Sequence, residues 1–131
     1  MRHKGNISEV KQDRDKHIKR LFAEIKRSRT CATIGEICRK IAHTHMDRFY
    51  ISEERGSEIY YQYVRSGKIS ANSPYAYRMH ECFVEACERV RKEKKLSCIR
   101  HIAREAVDLP ARSLGLSPNR IQKILKEGGL I

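Results

Sequence analysis

Apolar residues recur along this chain at steps of three and four, the spacing that places side chains on one face of an α-helix. Stretches with this spacing alternate with short polar connectors, and no alternation typical of a strand extends beyond residues 48–52. The pattern therefore predicts an all-α protein without a sheet. Each half of the chain shows the same order: a long helix, a shorter helix, a connector and a third helix.

The two halves fall into register without a gap when the sequence is shifted by 65 residues. Ile25 then aligns with Val90 and Phe49 with Leu114, and apolar positions agree better than identities do. A repeat that fills a chain is typical of a duplicated supersecondary unit. We therefore expect two pseudo-repeated three-helix units. The alternative is a coincidental match, since any two helical stretches can be shifted into partial agreement.

The first unit is predicted over residues 1–66 and the second over residues 67–131. Their long first helices are expected to start after caps at Ser8 and Ser73, because a serine side chain accepts hydrogen bonds from the free N–H groups of a first helical turn. The core-facing stripes of these two helices are predicted to be Val10, Ile18, Leu21, Phe22 and Ile25, and Tyr75, Met79, Phe83, Ala86, Cys87 and Val90.

Shorter second helices are predicted over residues 32–43 and 96–107, where apolar residues again recur at helical spacing. A connector follows each of them and ends in a serine, Ser52 or Ser117, which is placed to cap the third helix. The aliphatic residues of the connectors are expected to pack against the core.

The last helix, predicted over residues 118–127, has the polar side chains that indicate a function. Pro118 fits its first turn, and Gly128 with Gly129 ends it. Its apolar side consists of Ile121, Ile124 and Leu125, and its polar side and flanks carry Asn119, Arg120, Gln122, Lys123 and Lys126. Amide and cationic side chains read base edges and contact phosphates. Taken alone, the helix is more simply explained as a terminal helix with a solvated basic face.

The charge of the chain favours the DNA-binding interpretation. The formal net charge is +12, of which residues 1–65 and residues 66–131 each carry +6. Such a balance favours a polyanionic partner, with nucleic acid ahead of an anionic membrane surface. No hydrophobic run approaches membrane-spanning length, and residues 1–25 lack the apolar core of a signal peptide. We expect no membrane association and a cytoplasmic location, in the nucleoid or in the host cytoplasm of a phage.

Residues 98–127 resemble the helix-turn-helix class of DNA-binding proteins, with a short helix carrying Ile and Ala, a turn that ends in Gly-Leu-Ser and a capped helix with Ile at steps of three. Residues 33–66 show the same order less completely. The resemblance implies a second and a third helix that act together, with the third helix in the major groove. Residues 48–55 are also similar to small proteins of bacterial prophages and mobile elements, which implies no activity.

The two third helices differ in charge. Glu54 and Glu58 on the outward side of the first would meet phosphates with like charge, whereas the outward side of the last helix carries no carboxylate. We therefore assign DNA binding to the second unit, with further phosphate contacts from Arg100 and Arg104 on its second helix. The first unit is expected to serve packing or dimerisation, against the other unit or a second subunit, through three tyrosines: Tyr60, Tyr61 and Tyr63.

The cysteines offer one set with ligand types suited to zinc, namely Cys82, Cys87, Cys98 and His101. The set contains no CxxC pair, and the shifted sequence aligns Cys87 with Phe22 and Cys38 with Ala103. We therefore expect the cysteines to behave as small buried hydrophobic residues, without a metal, a disulfide framework or another cofactor.

Catalytic residues are not evident. His43, His45 and Asp47 lie close together in a connector, as a water-activating site requires. The chain has no nucleophile motif, no HExxH and no Gly-rich phosphate loop, so these residues are expected to be exposed and the protein is not expected to be an enzyme.

The sequence thus predicts a non-enzymatic, double-stranded DNA-binding protein that acts in transcription regulation or DNA handling in a phage or mobile element. Ser117 would cap the reading helix, and Asn119, Gln122 and Lys123 would contact bases. The main alternative is a non-catalytic basic adaptor or virion structural protein, which the three tyrosines fit better. A third is RNA or single-strand binding, with bases stacked on those tyrosines.

Overall fold

The computed structural model describes residues 7–31 and 33–131, and within these residues it contains six α-helices and no strand. The helices are α1 (Ile7–Ser28), α2 (Ile34–Ala42), α3 (Glu53–Ser66), α4 (Pro74–Lys94), α5 (Ile99–Ala106) and α6 (Pro118–Glu127). The predicted all-α class is confirmed. None of the described helices has the combination of length and apolar character that spanning a membrane requires.

Serine caps start three of the helices, as the sequence predicted. Ser52, Ser73 and Ser117 each accept a hydrogen bond from the backbone N–H three residues further on, at 3.0, 3.1 and 3.2 Å. The predicted cap at Ser8 is wrong, because α1 already includes Ile7 and Ser8 therefore lies inside its first turn.

The second helices are shorter than predicted. Thr33 caps α2 through a 3.1 Å hydrogen bond from the N–H of Glu36, so the helix starts at Ile34. Ala32, where the prediction began, lies outside the described residues. α5 likewise begins at Ile99, three residues after Leu96.

The helix starts follow the shift found in the sequence. α5 begins 65 residues after α2, and α6 begins 65 residues after α3. Residues of like burial also recur at this spacing, as Phe22 with Cys87 and Cys38 with Ala103, all four of which are buried. The duplication of one ancestral unit stays a prediction.

One hydrophobic core joins both halves of the chain. The predicted stripes of α1 and α4 face it, with Leu21 and Tyr75 only partly buried. Phe49 from the first half and Phe83 from the second meet edge to face, with ring centroids 5.1 Å apart. At Gly56, α3 comes so close to α4 that an added Cβ would lie 2.8 Å from Cζ of Phe83.

The third helices cross between the halves. α6 packs against α2 and α1, whereas α3 packs against α5 and α4. The predicted boundary at residue 66 therefore divides the sequence but not the core. Among the described helices, α5 and α6 share at most a marginal contact, so the pair expected from the helix-turn-helix resemblance does not form within residues 98–127.

The connectors explain this exchange. The connector before α3 and the connector before α6 lie antiparallel to each other, and Met46 and Ala111 exchange backbone hydrogen bonds of 2.8 and 2.9 Å. The N–H of Phe49 also donates to the carbonyl oxygen of Val107, at 3.0 Å. Each connector is thereby held across the other, and each delivers its third helix to the opposite half of the chain.

Candidate nucleic-acid interface

The last helix is anchored by three aliphatic side chains. Ile121 and Leu125 are fully buried and Ile124 is 4% exposed. They fall on the side of α6 that packs against α2 and α1, as the helical spacing predicted. Burial of three such side chains contributes roughly 1.5–3 kcal/mol each to the stability of the fold. This contact fixes which side of α6 faces solvent.

The outward side of α6 carries the predicted polar residues, which are Asn119, Arg120, Gln122, Lys123 and Lys126 and are all exposed. Ser117 is partly buried and its hydroxyl is used by the cap, so it positions the helix. In the described part of the chain, no carboxylate lies within ion-pair distance of the three cations of α6. These cations are available to an external anion.

Arg100 and Arg104 lie on the predicted second helix of the second half, but this helix does not pack beside α6. They are exposed on α5, but α5 packs against α3 and α4 and not against α6. The Nε of Arg104 lies 3.4 Å from a carboxylate oxygen of Glu53, at the start of α3. The exchange of the third helices thus places both arginines on a helix that packs beside α3 and α4, and their phosphate contacts stay a prediction.

The helices that do pack against α6, α2 and α1, carry exposed cations of their own. Arg39 and Lys40 are exposed on α2, the helix against which α6 packs most extensively. At the other end of α6, Lys19 of α1 reaches Gly128, where an added Cβ would lie 2.7 Å from its Cε. The shifted sequence aligns Arg39 with Arg104, so the repeat indicated an arginine at this position of both second helices. Which of the two helices packs against α6 depends on the exchange of the third helices.

The exchange also separates the charges that the sequence distributes evenly. The helices α1, α2 and α6, here called the basic trio, carry twelve Lys and Arg against six Asp and Glu. The helices α3, α4 and α5, the neutral trio, carry nine against eight. The net charges are +6 and +1, so among the helices the basic trio attracts a polyanion more strongly than the neutral trio does.

Four of the nine cations of the neutral trio are, in addition, paired with carboxylates. The ion pairs are Arg55–Glu58 at 3.0 Å, Arg91–Glu88 at 2.6 Å, Lys94–Glu105 at 3.1 Å and Arg104–Glu53 at 3.4 Å. Their side chains are largely exposed, so each pair adds little stability. Their effect is to neutralise the surface locally, which weakens its attraction for phosphate.

Three of the five cysteines are buried, as expected for small hydrophobic residues: Cys38, Cys82 and Cys87. Burial raises the pKa of the Cys87 thiol and that of Cys38, which keeps both protonated and unsuited to bind a metal. Cys98 and His101 are exposed. Nowhere in residues 7–31 and 33–131 do three His, Cys, Asp or Glu side chains form a group that could hold a metal ion.

The connector histidines and the tyrosines of α3 have distinct environments. His43, His45 and Asp47 are exposed, as predicted. Tyr60 is buried against the other half of the chain, and this burial raises the pKa of its phenol. It therefore cannot form part of a surface for a second subunit. Tyr63 stacks on Tyr60 and is partly buried, whereas Tyr61 is 52% exposed.

Comparison of the chain with protein-family models, with curated proteins and with solved structures finds no match.

Proposed function

We propose that the protein binds double-stranded DNA, with α6 in the major groove. The observation that carries the proposal is the exposed side of α6, where three cations and two amide side chains lie together. The single carboxylate of the helix, Glu127, is exposed in the last turn and forms no ion pair with these cations among the described residues. Cations that are not already paired release counterions from DNA at full effect when they contact phosphates. An α-helix with its side chains is about 10–12 Å in diameter, which suits a groove about 12 Å wide.

The residues of α6 divide into two roles. Asn119, Gln122 and Lys123 lie on the outward side and are proposed to contact base edges, since amides can pair with adenine and lysine with guanine. Arg120, on the flank of the helix, and Lys126, on its outward side, are proposed to contact phosphates. Ser117 holds the first turn of the helix in place.

The phosphate contacts extend onto the helix beside α6. Arg39 and Lys40 on α2 are proposed to bind the DNA backbone next to the groove that α6 occupies. Arg100 and Arg104, on the neutral trio, receive a minor part, because Arg104 is paired with Glu53. Binding would be weakened by salt in proportion to the number of phosphates contacted.

The proposed function is non-enzymatic and belongs to the cytoplasm, where DNA is available. A role in transcription regulation or DNA handling in a phage or mobile element is supported by the sequence resemblance alone. The second candidate is a non-catalytic basic adaptor or virion structural protein. It is supported by Tyr61 and Val64, which are more than half exposed on α3.

Fluorescence anisotropy with duplex and single-strand probes over a salt series tests the proposal. We expect the duplex to bind more tightly than the single strand, with affinity that falls steeply as salt rises. Lys123→Ala should weaken duplex binding and reduce the salt slope by about one, because any cation held against the DNA releases a counterion. Lys68→Ala, which removes an exposed lysine on the connector after α3, is the matched control and should leave the slope unchanged.

Two results would contradict the proposal. One is duplex binding with the same affinity and slope in the Lys123→Ala variant and in the control. The other is binding that salt does not weaken, which would instead favour the adaptor or virion function.

A further inference from the structure

The outward side of α3 combines exposed apolar groups with an ordered pattern of charge. Tyr61 and Val64 are 52% and 54% exposed, more than any other large hydrophobic residue in the described ranges. Glu54, Glu58 and Arg65 join Tyr61 at steps of four, three and four, which places these four side chains on one stripe of the helix. We call this surface, with Val64 beside it, the α3 face.

The charges on the α3 face are divided by position. Glu54 and Glu58 lie toward the amino end, and Arg65 lies in the last turn, followed by the exposed Lys68 just beyond the helix. Glu58 pairs with Arg55 at 3.0 Å, but both side chains are more than half exposed and remain accessible. The apolar Tyr61 and Val64 lie between the acidic end and the basic end.

Such a pattern is complementary to itself in one orientation only. Two α3 helices that meet antiparallel place the acidic end of each beside the basic end of the other. Two parallel helices would bring Glu54 and Glu58 against their own copies, and like charges in contact are unfavourable. Antiparallel contact about Tyr61 is also the geometry of a closed two-fold dimer, the commonest arrangement of soluble homo-oligomers.

The distribution of charge over the whole molecule favours the same contact. Two chains with a formal charge of +12 each repel one another, most strongly where their basic trios face each other. The neutral trio has a net charge of +1 and contains α3. The α3 face is therefore a surface on which two copies can approach with little repulsion.

We propose that the protein forms a homodimer in which the α3 faces of two copies pack antiparallel. Tyr61 and Val64 are buried at the centre, and Glu58 of each chain pairs with Arg65 of the other. α6 packs on different helices and stays exposed in both copies. The inference does not depend on the proposed DNA binding.

Sedimentation equilibrium of the full chain over a concentration series tests the proposal, in reducing buffer so that the exposed Cys98 cannot crosslink copies. The expected mass rises from the 15.3 kDa of one chain to twice that value. Tyr61→Ser combined with Val64→Ser should raise the dissociation constant of the dimer by about tenfold or more. Tyr77→Ser, a change of an exposed tyrosine on α4, is the matched control and should leave it unchanged.

A charge exchange tests the orientation. Glu58→Arg alone and Arg65→Glu alone should each weaken the dimer, because each leaves two like charges in contact across the interface. The chain carrying both Glu58→Arg and Arg65→Glu should regain dimerisation, since the intermolecular pair is restored with its signs reversed. Circular dichroism of each variant shows that the fold is retained.

Several outcomes would overturn the proposal. A monomer at every concentration shows that the α3 face binds another partner or none. A dimer unaffected by the Tyr61 and Val64 changes lies on another surface. A double charge variant as weak as either single variant excludes the antiparallel pairing of Glu58 with Arg65.

Discussion

Gly56 shows how a single residue sets the distance between two helices. The aromatic ring of Phe83 occupies the space that a side chain at residue 56 would need, and Phe83 is itself fully buried against Phe49. The ring cannot move without disturbing the centre of the core, because protein interiors are close-packed. α3 and α4 therefore remain in close contact only with glycine at this position.

Gly56→Ala should destabilise the protein by about 1–3 kcal/mol, the usual cost of overpacking a core. Urea denaturation, which gives the free energy of unfolding, measures this destabilisation. Gly35→Ala is the matched control, because residue 35 is also helical but an added Cβ would lie 3.8 Å from the nearest side-chain atom, that of Arg39. That variant should be as stable as the parent or slightly more stable. Equal losses in both variants would contradict the close contact.

His80 makes the stability of the fold depend on pH. It is 5% exposed and its Nδ1 donates a hydrogen bond of 2.9 Å to the carbonyl oxygen of Ser70. Burial lowers the pKa of His80 below its ordinary value of 6.5, despite the opposing effect of this hydrogen bond. Protons then bind the unfolded chain first, so the contribution of His80 is complete above pH 6.5 and is lost as the pH falls below that value.

In the His80→Gln variant, the free energy of unfolding should therefore fall less between about pH 7 and about pH 5 than it does in the parent. Urea denaturation at a series of pH values measures this dependence. His45→Gln, at an exposed histidine, is the control and should leave the pH dependence as it is in the parent. If His80→Gln has the same pH profile as the parent, another group is responsible.

The stability of α6 depends on its N-cap at Ser117. Ser117 donates no charge to the surface, but its hydroxyl binds the N–H of Arg120 and so fixes the first turn of a helix of ten residues. Loss of a serine cap typically costs about 1 kcal/mol. The cap and the charge at this position can be separated, because aspartate caps helices as well as serine does but adds a negative charge.

Ser117→Ala should lower the unfolding free energy by about 1 kcal/mol, and Ser117→Asp should largely preserve it. Under the proposed function, Ser117→Asp should weaken duplex binding because its carboxylate lies near phosphates. Thermal melting and fluorescence anisotropy measure the two effects. Unchanged duplex affinity in a stable Ser117→Asp variant would place the DNA away from the start of α6.

The starts of the helices were predictable where a short-range signal marks them. Ser52, Ser73 and Ser117 each cap a helix within reach of their own side chains, and the faces of α6 follow from its periodicity. The second helices were predicted too long, because Leu96 and Val107 are apolar for a different reason: they pack against the core from outside α5. Apolar spacing alone cannot distinguish a helical turn from an adjoining connector that docks.

The exchange of third helices between the two halves could not be predicted from the sequence. The aliphatic side of α6 would be satisfied by any apolar helix face, and both α2 and α5 offer one. The choice depends on the path of the connectors and on the backbone contact of Met46 with Ala111, which no side-chain pattern encodes. This is why the sequence identified α6 correctly but paired it with Arg100 and Arg104.

The exchange predicts which arginines matter for binding. Arg39→Ala together with Lys40→Ala should weaken duplex binding and reduce the salt slope by about two phosphate contacts. Arg100→Ala together with Arg104→Ala should have a smaller effect, because these residues lie on the neutral trio. Anisotropy titrations at several salt concentrations compare the two variants. A larger effect of the α5 variant would contradict the assignment.

The exchange also predicts that the halves of the chain do not fold alone. Residues 67–131 without the first half lack α3, which covers α5, and α2, which covers α6. The isolated segment should therefore show little cooperative unfolding, whereas the full chain should unfold in a single transition. Circular dichroism during urea denaturation distinguishes the two. A sharp transition in the segment would show that each half is an independent unit.

The paired connectors also restrict the movement of the third helices. The connector before α3 and the connector before α6 are joined by two backbone hydrogen bonds between Met46 and Ala111. Neither α3 nor α6 can slide along its neighbour without breaking both of them. A ligand that binds α6 thus contacts a helix whose position is already fixed. Little conformational entropy is therefore lost on association. The backbone contact between the connectors thereby fixes the position of α6 before any ligand binds.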